Sequence, residues 1–524
     1  MMKQFINATI YTVDANFSVA DCMVIEDNKI IFIGKQHEFQ STDEIEIINC
    51  LGKCIYPGLI DPHCHFIDLG RTYFTAALHT TNSFDEVIEK VKSFQETNTR
   101  EWLVGRGWNN NNWADKQLPT KEVLDILFPN TPVFLVRIDS HVALINQTAI
   151  DRSKVLQQSF IDEGFIEMKD GKATGIVYDK AMFYMLPFVQ ENDTVKKQII
   201  LKAQEICIAF GLTSVGDAFM EHPDFKLFQS MYEEDSLKIK LFGMFVPSKE
   251  NKDFLSQNKG YKKGKFMISA TKHFADGALG SRGAALLEPY TDDPLNKGLL
   301  LESDEYWNEE AQFCIDHNLQ MITHCIGDAA NERIIQLYKK YLKGKNERRW
   351  RIEHVQILPN YLLQEFSNNQ IIPSVQSTHG TSDYTWAKDR LGDNRMKTAY
   401  RIKDLLEECG MIVNGSDFPI EKPNPLRGFY ASITRKDDNG QPAFGFDPSQ
   451  KITRIEALKS MTIWAAYAQF QEKEIGSLEV HKHADFVISA TDLLTCKEED
   501  ILHTSIDATY VDGELVFSRK PSLS

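Results

Sequence analysis

Eight short apolar runs recur along the chain, each ending on a polar residue or a histidine: residues 55–65, 212–217, 239–245, 271–276, 320–324, 350–354, 371–376 and 411–417. Strands covered on both faces read as continuous apolar runs of this kind. The intervals between them carry helical spacing. In 195–210, for example, Val195, Ile199, Ile206 and Phe210 recur beside Lys196, Lys197 and Lys202. Eight strand and helix units in series predict a closed (β/α)8 barrel, an α/β fold in which the carboxyl ends of all strands open on one mouth.

The two ends of the chain have a different texture. Residues 1–55 hold short β-type runs with a hairpin turn at Asp27-Asn28-Lys29, and the last fifty residues repeat that texture with a turn at Asp512-Gly513. Neither end is long enough to support a sheet pair alone, so residues 1–55 and 475–524 are expected to build one small β-domain together. Residues 56–474 then form the barrel. Within them, the segment of about 70–190 far exceeds an ordinary connection. It has strand signals of its own at 102–107 and 132–138 and a glycine-rich stretch at 164–175, and it is expected to be an inserted cap that helps select substrate or else an excursion packed on the barrel's side.

Charge and cysteine content narrow the function classes. Lys plus Arg number 58 against 74 for Asp plus Glu, a formal charge of −16, which argues against binding a phosphate backbone. The first residues lack the pattern of a secretory leader, and no apolar run is long enough to span a bilayer. Nine cysteines without a Cys-x-x-Cys pair fit free thiols in a reducing cytoplasm. A cytoplasmic protein acting on a small molecule, with no nucleic-acid or membrane partner, is expected. A homodimer is the commonest assembly by base rate.

The polar residues at the strand ends supply the chemistry. Side chains alternate along a strand, so His63 and His65 share one face while Cys64 points the other way. The later strands add His324, His354 and Asp417, and all five converge on the mouth if the barrel closes. Nitrogen and oxygen donors of this kind suit zinc and related divalent ions. A lone buried histidine is more often a satisfied core residue, but four beside an acid favour a metal.

The ordered motifs Pro-Gly-Leu-Ile-Asp-Pro-His-Cys-His (57–65), Lys-His-Phe-Ala-Asp-Gly-Ala-Leu-Gly-Ser-Arg (272–282), Thr-His-Cys-Ile-Gly-Asp-Ala (323–329), Arg-Ile-Glu-His-Val (351–355) and Gly-Ser-Asp-Phe-Pro (415–419) resemble the amidohydrolase superfamily. Within it, the chain is similar to the YtcJ-type group that includes N-substituted formamide deformylases. The resemblance implies a metal-dependent hydrolase on a distorted TIM barrel, with the chain ends forming a β-sandwich. It places His63 and His65 on the more buried metal, with His324 and His354 on a second if there is one. Lys272 falls where members often carry a carboxylated lysine bridging two ions; the alternative is a protonated Lys272 paired with Asp276 or with a substrate carboxylate. Asp417 becomes the general acid/base. The ion lowers the pKa of its water, and the resulting hydroxide attacks the carbon of a C–N bond. Zinc suits the donor set best, as one ion or two. Deamination or ester hydrolysis on the same scaffold, and a non-catalytic oligomeric scaffold, are the alternative readings.

The supporting residues are expectations of a weaker kind. Arg282 is a candidate fork for a substrate carboxylate or a pin for its own loop. Asp328 is expected to cap the helix after the fifth strand, with orientation of His324 as the alternative. His141 and His379 are candidate pocket residues or structural ones, and Trp108, with the run to Trp113, is expected either to line an apolar substrate pocket or to belong to a plain surface loop. Glu353 is expected to face away from the mouth if its strand is regular.

Overall fold

Each of the eight apolar runs forms a strand of one parallel sheet. In chain order they are β1 (Leu59–Cys64), β2 (Leu212–Met220), β3 (Lys240–Phe245), β4 (Phe266–Phe274), β5 (Gln320–Cys325), β6 (Arg351–His354), β7 (Ile372–Val375) and β8 (Val413–Asn414), and each pairs with the next. The computed structural model describes residues 2–40, 45–98, 100–138, 142–157, 164–189 and 191–519. His141 lies outside them. Just past β8 the ring comes back to β1: Asp417 N–H donates to the His63 carbonyl and His65 N–H to that of Phe418, both at 2.8 Å. The result is the nearly closed, distorted (β/α)8 barrel expected.

The registers bring the site residues level. Phe274 on β4 sits opposite His324 on β5, and His324 opposite Glu353 on β6. Every residue of β1, β3, β6 and β7 is buried, as strands covered on both faces require. Ala218, Phe242, Met244, Ala270 and Ile322 pack into an apolar cluster. Ala270 and Ile322 stand two residues before Lys272 and His324, so the cluster forms a floor on the side of the sheet that carries them.

The chain divides into two compact units, Met1–Phe66 with Gln204–Ser524, and Ile67–Ala203. Besides the barrel, the first unit holds a seven-stranded sheet in which Phe486–Ser489 from the C-terminal end pairs with Glu46–Pro57 from the N-terminal end. Its core shows why both ends are needed. Phe486 stacks on Tyr510 at 4.4 Å and meets the edge of Phe5 at 4.9 Å. Gly58 separates this sheet from β1 and splits the run 55–65 between them. A side chain there would come within 2.2 Å of the Thr213 hydroxyl.

The second unit is built on a six-stranded sheet containing Leu103–Trp108 and Val133–Arg137, the strands signalled at 102–107 and 132–138. Leu103, Val133 and Leu135 belong to one apolar cluster, and Val104, Phe134 and Val136 to another, as period-two alternation dictates. This placement corrects the expectation for Trp108. It is buried in the first cluster, its indole N–H donates to the Leu135 carbonyl at 2.8 Å, and its ring stacks on Trp113 at 5.7 Å. An indole with its one donor satisfied and its ring packed is part of the core, and a substrate would have nothing to touch. Among the described residues, no helix is long and apolar enough to cross a membrane, and all nine cysteines are free.

Candidate active site

The mouth is assembled by close approach of β1 to the segment after β8. Asp61, two residues before His63, accepts from the Ser416 hydroxyl at 2.5 Å and from the Ser416 and His63 backbone N–H groups at 3.2 Å. Burial pushes its carboxyl up to about 6 in spite of these donors. Gly415 permits the approach, because a Cβ there would stand 2.9 Å from both Asp61 Oδ1 and the His63 carbonyl. Asp417 follows with φ of 59°, a left-handed conformation uncommon for a residue with a Cβ and frequent at functional sites.

Five imidazoles surround that carboxylate or each other. Asp417 Oδ1 lies 3.4 Å from His63 Nε2 and 3.3 Å from His65 Nε2, and Oδ2 lies 3.7 Å from His379 Nε2. The His354 ring stands 5.0 Å from that of His63, 4.5 Å from His324 and 5.7 Å from His379. Ligand atoms of His63, His354 and Asp417 all fall within 4.8 Å of one another. Although burial opposes it, His63 and His65 hold the Asp417 carboxyl well below the usual range, so it is an ionised acceptor at neutral pH. Burial, aided by Lys272, takes His324 down to about 3, and burial takes His354 well below its ordinary value. Both are neutral, the form in which imidazole binds metals.

Lys272, at the mouth end of β4, is buried with its ammonium 4.4 Å from the Phe274 ring centre. Burial lowers it to about 8. It does not pair with Asp276, whose oxygens instead accept from the backbone N–H groups of Ala285, Ile326 and Gly327 at 2.7–3.0 Å.

The second layer holds the residue that sequence reasoning missed. Glu353 is fully buried and accepts the Nδ1–H of His63, with Ser374 Oγ donating to the same oxygen at 2.8 Å and Arg351 Nε 2.6 Å from the other. The expectation that it faces away is corrected here, because β6 is not regular at its end. His354 and Val355 have φ of 70° and 45°, so Glu353 and the residue after it both reach the interior. A signal existed in Arg351 and Glu353 themselves: opposite charges two apart in an otherwise apolar run share a face and must find partners when buried. Gln376, also missed, accepts the Nδ1–H of His354 at 2.6 Å. With both Nδ1 protons engaged, each ring offers Nε2 as an acceptor.

Arg282 takes the second of its two expected roles, and Asp328 lies one position past the expected cap. Arg282 is held by Asp292, at 3.1 and 2.9 Å, and is not among the residues lining the cavity. One edge of its planar fork is filled by a carboxylate, and the side chain pins its own loop away from the cavity wall. Asp328 is the first residue of the helix Asp328–Leu342, behind Gly327 at the cap position, and its Oδ1 accepts from the Leu287 and Ala329 N–H groups rather than orienting His324. His379 does line the cavity.

The fit of a metal can be tested on atoms left without partners. His63 Nε2, His324 Nε2, His379 Nε2 and Asp417 Oδ1 are buried and make no hydrogen bond. Such orphans are costly in apolar surroundings, and here all four belong to residues lining one cavity of about 560 Å³. Nitrogen and carboxylate donors in this arrangement fit a divalent ion.

Comparison with known proteins agrees with this geometry. Residues 46–517 match the model of the Amidohydrolase family. Protein LONG AFTER FAR-RED 3 of Arabidopsis thaliana is 31% identical, over 98% of this chain and 91% of its own length. N-substituted formamide deformylase of Arthrobacter pascens is 23% identical over 99% and 98%. Among solved structures, an uncharacterized metal-dependent hydrolase from Pyrococcus furiosus superposes with a TM-score of 0.78 at 28% identity, over 94% of this chain and 100% of that one. With the family model spanning all eight barrel strands and the metal-competent mouth, the chain belongs to the amidohydrolase family.

Proposed function

We propose that this chain is a metal-dependent hydrolase of a carbon–nitrogen bond in an amide, N-formyl amine or related compound. The observation that carries the reading is the set of three orphaned atoms, His63 Nε2, His324 Nε2 and Asp417 Oδ1, on residues lining one cavity. His63, His65, His324, His354 and Asp417 would hold one or two divalent ions, with zinc the best match to the donors. Lys272 is suited to carboxylation, since burial favours the neutral amine that adds CO₂. A bound divalent ion supplies a Lewis acid and acidifies water.

The chain's own residues do the rest. Glu353 and Gln376 fix the tautomers of His63 and His354. The ionised Asp417 takes a proton from the attacking water at one carboxylate oxygen and returns it to the departing amine nitrogen, which would otherwise leave as an unstable anion. His379, 3.7 Å from Asp417, has an Nε2 free to engage the substrate. The similarity to N-substituted formamide deformylase supports a C–N bond as the target.

The test is a substrate screen on purified protein stripped with a chelator and reloaded with zinc. N-formyl amines, other amides, cyclic imides, esters and aminated heterocycles are offered in parallel. Release of an amine together with a carboxylate is expected. Ammonia released from a heterocycle with no carboxylate formed would replace this reading with deamination.

A further inference from the structure

Beyond the groups assigned above, the cavity wall carries two more acids, Asp383 and Glu421. Lys272 is the only lysine or arginine among the described residues lining it. The Tyr400 hydroxyl and the Gln356 amide both donate to Asp383 Oδ2, at 2.8 and 3.2 Å, and no described residue donates to Oδ1. The Ser382 hydroxyl donates to Glu421 Oε1 at 2.7 Å, and Oε2 has no donor either. Each acid is thus anchored through one oxygen and keeps the other unused.

Three neighbouring facts point the same way. Arg282, one candidate for receiving a substrate carboxylate, instead pins its loop to Asp292 and is not among the residues lining the cavity. Trp386 adds an indole ring to the wall that holds Asp383 and Glu421; the Arg390 guanidinium already lies 5.7 Å from its centre, as expected where ring faces attract cations. His379, buried on that wall, has an Nε2 with no partner, which marks this part of the cavity as a place for a ligand.

We infer that the substrate carries a positive charge, an ammonium or amidinium group, on the portion remote from the scissile bond, received by Asp383 and Glu421 beside Trp386. The inference rests on the amide-hydrolase reading for the reacting end and adds the chemistry of the other end. A neutral tail strips water from the two carboxylates without replacing it, and an anionic tail meets like charge, so both are disfavoured.

The test uses zinc-reloaded full-length protein and N-formyl amines identical except for a trimethylammonium, tert-butyl or carboxylate terminus. The trimethylammonium compound is expected to exceed the tert-butyl isostere in kcat/KM by about ten-fold, chiefly through KM, with the carboxylate poorest. Glu421→Gln and Asp383→Asn should each shrink that ratio several-fold. A ratio near one, or a preference for the carboxylate, overturns the inference. Calorimetric binding of choline against 3,3-dimethylbutanol reads the same preference without turnover. Preference for choline with no formamide hydrolysed would sink the amide reading and keep the cation site. Hydrolysis without preference would do the reverse.

Discussion

Glu353 accepts the Nδ1–H of His63 across 290 positions of sequence, and so turns the opposite nitrogen of that ring toward Asp417 at 3.4 Å. Although burial opposes it, Arg351 and His63 hold Glu353 at about 2, so it is an anion inside the barrel. Glu353→Gln removes that charge while leaving Arg351 buried. Stability should fall by about 3–5 kcal/mol, as when one partner of a buried pair is removed. Affinity for the divalent ion should fall by about 10–100-fold, the usual effect of losing a histidine's outer partner. Denaturant unfolding and competition with a metal indicator check the two halves; an unchanged affinity would show that Glu353 does not orient the ligand.

Asp417→Asn keeps an oxygen at the position of the carboxylate and loses the ability to carry a proton. Metal content should stay at the wild-type level while kcat falls by about 10²–10⁴-fold, the range for general acid/base groups. Near-normal turnover would remove Asp417 from proton transfer.

Lys240 on β3 joins the barrel to the terminal sheet, its ammonium 2.7 Å from both oxygens of Asp485 and from Asp512 Oδ1. Lys240→Ala leaves the buried Asp485 carboxylate without its cation, while Asp512 keeps Lys265 at 3.5 Å, and should cost about 3–5 kcal/mol at neutral pH. The pH dependence has a definite sign. Although burial opposes it, the hydrogen bond from His483 and the Lys240 charge hold the Asp512 carboxyl below its ordinary value of 3.8. A depressed carboxyl stabilises the fold fully above its unfolded pKa, so that contribution should be lost as pH falls below about 4. Urea unfolding across pH 2.5–7 should show this loss in the wild type, with a shallower slope in the variant; equal slopes would contradict it.

Trp108→Ala separates a packing role from a substrate role. It should lower the stability of the inserted unit by about 3–5 kcal/mol, as for a large aromatic removed from a core, and leave KM unchanged in the protein that remains folded. A raised KM with unchanged stability would restore Trp108 to the pocket.

What could be read in advance, and what could not, follows from the range of the interactions. The eight strands and their terminal polar residues were legible because burial on both faces forces an apolar run, and because His63, His65, His324, His354 and Asp417 each follow one. The pairing of the two chain ends was legible from their shared texture and insufficient length. Glu353 was legible only as a buried partner for Arg351, because its sharing of the interior with His354 depends on left-handed backbone at His354 and Val355, which no propensity of histidine or valine announces. Arg282 was undecidable locally, since its partner Asp292 lies ten residues on among other acids. Trp108 and its neighbours looked like a polar loop with aromatic ends, and only the sheet of the second unit shows the indole to be core.

The most direct measurement is elemental analysis of the purified protein, repeated after chelation and after titration with zinc, with amide hydrolysis followed at each step. One or two ions per chain are expected, lost with activity on chelation and regained with it in proportion. A protein that retains no divalent ion, and whose behaviour zinc does not alter, would contradict the reading of His63, His65, His324, His354 and Asp417 as a metal site.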